Sequence, residues 1–214
     1  MSYEELLDDK TFEKLDEVEH KDVKNFIRRE MTGNQGWALI AKIYQILGLF
    51  LVAFAFVKAL APFLHQHRTD YLIGMGWGVV FTLTVLIFLH ELLHAAAYLA
   101  VGARKISFGL NLKKFMFYVQ ADKQVLNYKQ FKIVALTPVI TVALLTLAGA
   151  IIYFGKPEYY FCVTILGLHS LFCAGDLGLL CFFENRSEDK IVTFDVKQDG
   201  ITYFYRENKR NETM

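Results

Sequence analysis

Apolar positions gather into four long runs, and polar positions fill the breaks between them. Residues 71–89 carry no ionisable group but Tyr71, and 133–154 none but Tyr153. Residues 159–183 hold only His169 and Asp176 beside Tyr159, Tyr160 and the thiols of Cys162, Cys173 and Cys181. In 37–64 the only charges are Lys42 and Lys58, one near each end. About 20 apolar residues cross the hydrocarbon of a bilayer. The pattern therefore predicts four transmembrane helices, over about 37–64, 71–102, 131–154 and 159–183. Lys42 and Lys58 stand roughly 24 Å apart along such a helix, so each ammonium can reach its own interface. The soluble alternative is a bundle of buried core helices, and four such runs in one chain argue against it.

The remaining segments are short. Residues 3–31 are charge-rich, with Phe12, Leu15, Val23, Phe26 and Ile27 at broadly helical spacing, which predicts an N-terminal amphipathic helix. Residues 106–121 read as a β-hairpin turning around Asn111–Lys114. Residues 191–205 alternate in part and contain Asp199-Gly200, a hairpin turn signal. The expectation is a mainly α membrane protein. It comprises an N-terminal helical segment (1–36), a four-helix transmembrane domain (37–183) and a tail with a β-hairpin (184–214).

Charge sets the orientation. Of the 23 Lys and Arg, nineteen fall in 1–36, 101–132 and 184–214, while the loops at 65–70 and 155–158 hold one each, Arg68 and Lys156. Basic loops stay in the cytoplasm, so both termini and the β-hairpins are expected there. A net charge of +1 gives no nucleic-acid footprint. Three cysteines form no disulfide framework, and their spacing in the fourth run suits buried thiols. A mean hydropathy of +0.30 excludes a disordered chain.

The second run ends in His90-Glu91-Leu92-Leu93-His94. Positions i and i+4 share a helix face, so both imidazoles can bind one metal, and Glu91 beside them can take a proton from an activated water. Charged and imidazole groups at the end of an apolar span are costly unless paired or functional. The plainer reading is a helix end at the interface. A catalytic zinc needs a third protein ligand. Asp176 is the one carboxylate within the fourth run, and it lies about as far from Tyr159 as His90 does from Tyr71, roughly 26 Å and 28 Å of helix. Its alternative role is helix packing, beside Gly175 and Gly178. His169, two turns before Asp176 and roughly 10 Å shallower, reads as a core residue or a partner that orients a ligand. Pro138 cannot donate to the Val134 carbonyl, which predicts a kink. That kink could also open backbone or Thr137 to water or substrate. Gly74, Gly76 and Gly78 read as a small-residue packing face. His20 carries no spacing that would place it.

HELLH at 90–94, the alanines after it, Gly102, Ser107-Phe108-Gly109, Thr137-Pro138 and Ala174-Gly175-Asp176-Leu177 together resemble a bacterial membrane family of zincin peptidases, formerly a domain of unknown function. That family is distantly similar to site-2-protease-like intramembrane metalloproteases, although Leu177 stands where site-2 proteases usually have glycine after the aspartate. The resemblance covers roughly 70–205. It implies zinc held by His90, His94 and Asp176, with Glu91 as catalytic base. It also implies a multi-pass protein of the bacterial plasma membrane that hydrolyses peptide bonds of a polypeptide substrate, such as a transmembrane helix. The hairpin over 106–120 could pair with an unwound substrate segment. Two other functions fit the same residues: a zinc-binding membrane scaffold without turnover, and a small ion transporter using Glu91, Asp176 and the histidines. The latter would call for paired broken helices, which four apolar runs do not predict.

Overall fold

The computed structural model describes residues 3–8, 11–33, 36–111, 116–186 and 190–208. It is mainly helical. A short N-terminal part, α1 (Tyr3–Asp8), β1 (Phe12–Glu19) and α2 (Val23–Glu30), precedes α3 (Gly36–Gln66), α4 (Asp70–Leu83) and α5 (Val85–Ala100). The hairpin β2 (Ile106–Asn111) and β3 (Met116–Ala121) leads through β4 (Leu126–Asn127) into α6 (Tyr128–Ile152). Then come α7 (Pro157–Phe172), α8 (Ala174–Glu184), β5 (Ile191–Val196) and β6 (Ile201–Glu207). The expected turn of the first hairpin, at 112–115, lies outside the described residues.

Helices α3 and α6 are each long and apolar enough to cross a membrane, and there are four such spans if α4–α5 and α7–α8 each count as one. These pairs correspond to the second and fourth apolar runs, and they are bent by 46° and 43° rather than straight. The first bend has a local cause. Thr82 Oγ1 donates to the Gly78 carbonyl at 2.7 Å and Thr84 Oγ1 to that of Val80 at 2.6 Å. Such back-bonding competes with the helix ladder and bends it. The second bend falls at Cys173, just before Gly175.

Helix α7 is central and packs on α3, α4 and α6. Close approach depends on glycine. A Cβ on Gly167 would lie 2.5 Å from the Gly48 carbonyl oxygen, and one on Gly74 would lie 2.4 Å from that of Pro157. Gly78 likewise faces Thr164 and Phe161, whereas Gly76 has nothing within 4 Å. The packing face is thus Gly74 and Gly78, one turn apart, and the expected contribution of Gly76 is corrected: two residues along a helix point it the other way.

The N-terminal segment also corrects the sequence reading. Residues 12–19 form a strand, not part of one long amphipathic helix. Strand β1 pairs antiparallel with β6, and a bulge between Lys14 and Asp16 leaves Leu15 extra. The added residue lets Leu15 and Val18, three apart, pack into the same core cluster. A spacing of three mimics a helix here. The sheet order is β1-β6-β5-β4, so the N-terminal part, the segment before α6 and the tail share one sheet. The expected tail hairpin is present as β5–β6, with Gly200 at φ 64° in its turn. Phe26 of α2, Phe182 of α8 and Phe204 of β6 stack at 4.1–5.8 Å between centroids and fix the sheet against the helices. Glu30, 4 % exposed, completes that junction by accepting hydrogen bonds from Asn185 and Arg186 at 3.1 and 2.9 Å.

Candidate metal centre

Below the Thr84 bend, α5 turns one face inward and carries His90 and His94 on it. The first turn of α8, just past the Cys173 bend, carries Asp176. The three side chains meet. His90 Nε2 and His94 Nε2 are 3.1 Å apart. His94 Nε2 is 3.1 Å from Asp176 Oδ1, and His90 Nε2 is 3.3 Å from Asp176 Oδ2. The equal depth read from residue counts thus corresponds to contact.

Each ring nitrogen thus faces its own carboxylate oxygen of Asp176, with neighbouring donor atoms 3.1–3.3 Å apart. Tetrahedral zinc with bonds of about 2.0–2.1 Å has ligand–ligand edges of about 3.3 Å, so the residues fit the ion. Asp176 Oδ2 is buried and, although His90 Nε2 lies 3.3 Å away, makes no hydrogen bond among the described residues. A buried carboxylate oxygen without a donor is costly, and a cation would satisfy it.

Outer partners orient each imidazole. His94 Nδ1 is 3.0 Å from the Val134 carbonyl oxygen of α6. His90 Nδ1 is 3.0 Å from His169 Nε2. His169 is fully buried at the end of α7, and its Nδ1 is 3.5 Å from Cys173 Sγ. The bent α7–α8 pair removes the separation in depth that a straight helix would impose on His169. His90, His169 and Cys173 also bring ligand atoms within 4.8 Å of one another, as do His90, Glu91 and His94. Neither His169 nor Cys173 lines the cavity, whereas Glu91, His94 and Asp176 do.

The cavity, about 220 Å³, lies beside Glu91, His94 and Asp176. Its other wall comes from the sheet and hairpin, with His20, Tyr118, Gln120, Asp195 and Thr202 among the lining residues. The Val119 N–H of β3 donates to Glu91 Oε2 at 2.9 Å. His20 Nε2 is 3.3 Å from Thr202 Oγ1, and Thr202 in turn donates to Asp195 Oδ1 at 2.5 Å. None of this wall was readable from spacing, because it depends on how the sheet docks. Thr137 is not brought to the site: its hydroxyl donates to the Ile133 carbonyl at 2.7 Å, within its own helix. Pro138 is buried and is not among the residues lining the cavity.

The profile of a protein family described as "Putative zincin peptidase" matches residues 83–189, half of the 214-residue chain. The matched stretch contains His90, Glu91, His94 and Asp176, and it is shorter at both ends than the 70–205 expected from motifs. No curated protein and no solved structure matches the chain.

Proposed function

The chain belongs to the zincin peptidase family, and on that premise we propose that it is a membrane-embedded zinc metallopeptidase acting on membrane or membrane-proximal polypeptides. The observation that carries this reading is the convergence of His90, His94 and Asp176 donor atoms beside Glu91, at a cavity lined by Glu91, His94 and Asp176. His90, His94 and Asp176 would hold the zinc. Bound there, zinc supplies Lewis acidity that lowers the pKa of water and polarises a peptide carbonyl.

Glu91 accepts the proton of the attacking water. The Val119 N–H steadies one carboxylate oxygen, so the other is the proton acceptor. The same carboxyl then returns the proton to the leaving amine. Asp176 keeps the two imidazoles in register by facing both. The low polarity of the surrounding spans excludes bulk water and strengthens each of these interactions. Strand β3, with Val119 beside the base, would pair with an extended stretch of substrate next to the scissile bond. Since the cavity lies between helix ends and the sheet, a juxtamembrane segment, or a transmembrane helix unwound at its end, suits it. The protein would sit in the bacterial plasma membrane with both termini in the cytoplasm, as the distribution of Lys and Arg supports.

Glu91→Gln tests the reading. Zinc content of the purified protein should be unchanged, while cleavage of a model transmembrane substrate should fall by about 100-fold or more. Cleavage at the original rate would overturn the peptidase assignment, and zinc binding with no cleavage by the native protein would favour the scaffold.

A further inference from the structure

Resting on the metal reading above, we propose that Pro138 is a positioning residue of the metal centre. By withholding an N–H from the Val134 carbonyl, it leaves that oxygen to hold His94 through Nδ1, so that Nε2 faces the cation. Helix α6 runs unbroken from Tyr128 to Ile152 with Pro138 inside it. In a regular helix the Val134 carbonyl would accept the N–H of residue 138, and proline has none. Val134 is 2 % exposed, so water does not reach it freely, and an unpaired carbonyl in this apolar setting is costly.

His94 Nδ1 fills that vacancy at 3.0 Å. A carbonyl only accepts, so the hydrogen resides on Nδ1, and the neutral ring must then present a lone pair at Nε2. That lone pair is the one directed at Asp176 Oδ1 and His90 Nε2, each at 3.1 Å. One contact therefore meets two needs, the orphaned carbonyl of α6 and the tautomer of a ligand. Nearby Thr137 does not compete, since its hydroxyl is spent on Ile133. Any other residue at 138 would add an N–H aimed at the Val134 oxygen. The carbonyl has two lone pairs, so His94 would keep a weaker, redirected bond rather than none. Loss of such an outer partner typically weakens metal binding about 10- to 100-fold.

The experiment compares zinc affinity, by competition with a chelator, and the visible spectrum of the cobalt-substituted protein. Pro138→Ala should weaken zinc by about 10- to 100-fold and shift the cobalt bands. Pro62→Ala, an equivalent change inside α3, should do neither. Replacing His94 by Nδ1-methylhistidine removes the donor and keeps Nε2. It should reproduce the loss, and adding Pro138→Ala to it should cost little more, because both changes remove the same contact. If Pro138→Ala fails to fold, Pro138→Leu, which also restores the N–H, takes its place, and the methylhistidine variant tests the His94 contact by itself. Native protein that binds no zinc would sink the metal reading itself. Tight zinc binding by the native protein and, within twofold, by every folded variant would overturn the role of Pro138 alone.

Discussion

His90 is gripped from the side away from the carboxylate by another histidine, an uncommon choice where a carboxylate or carbonyl usually serves. If Nε2 of His90 faces the cation, Nδ1 donates to His169 Nε2, which leaves the hydrogen of His169 on Nδ1, towards Cys173. A neutral acceptor leaves the ligand less basic than a carboxylate would. His169→Phe keeps the buried volume and removes the acceptor. Zinc affinity should fall by about 10- to 100-fold while the protein stays folded, as checked by chelator competition and circular dichroism. The candidate ligands were legible because their signal is local: two imidazoles four apart, and one carboxylate at a matching count along another apolar run. The Val119 N–H and the His20–Thr202–Asp195 wall were not, since a backbone donor and a docked sheet leave no trace in spacing.

At the level of elements, each departure from the sequence reading has its own local cause. Threonine back-bonds bent the second span without removing its apolar character, so composition showed the span and hid the break. A bulge disguised β1 as a helix by placing Leu15 and Val18 on one side. The displaced assignment matters because α2 and β1 form the roof that packs on α8, with Ile27 against Gly178. Glu30 anchors that roof. Burial alone would raise its carboxyl, but hydrogen bonds from Arg186, Asn185 and Arg29 outweigh this and hold it below its ordinary value. A lowered carboxyl stabilises the fold above the unfolded value and loses that contribution as pH falls through the folded one. Melting temperature of the metal-free protein should therefore drop from about pH 4.5 downwards. Glu30→Gln should lower it at neutral pH and flatten the acid limb, as a pH series of thermal melts in detergent would show.

Across the whole molecule, two independent features bear on how the chain sits in the bilayer. Nineteen of the 23 basic residues lie in three separate segments, and those segments meet in space: β1 pairs with β6, β6 with β5, and β5 with β4. A sheet cannot close through hydrocarbon, so its strands must emerge on one side of the membrane. An even number of crossings then follows both before and after the segment that holds β4. That fits α3 with the bent α4–α5 pair, and α6 with the bent α7–α8 pair, as two out-and-back excursions. It also explains why the candidate site residues, carried by α5 and α8, cluster at the ends of those excursions nearest the sheet. Single cysteines introduced at Arg68, between α3 and α4, and at Lys197, in the β5–β6 turn, give the check in a background with Cys162→Ser. A membrane-impermeant thiol reagent applied to intact cells should label position 68 and spare 197, and permeabilised cells should label both. Labelling of position 197 in intact cells would reverse the orientation and move the cavity to the opposite face.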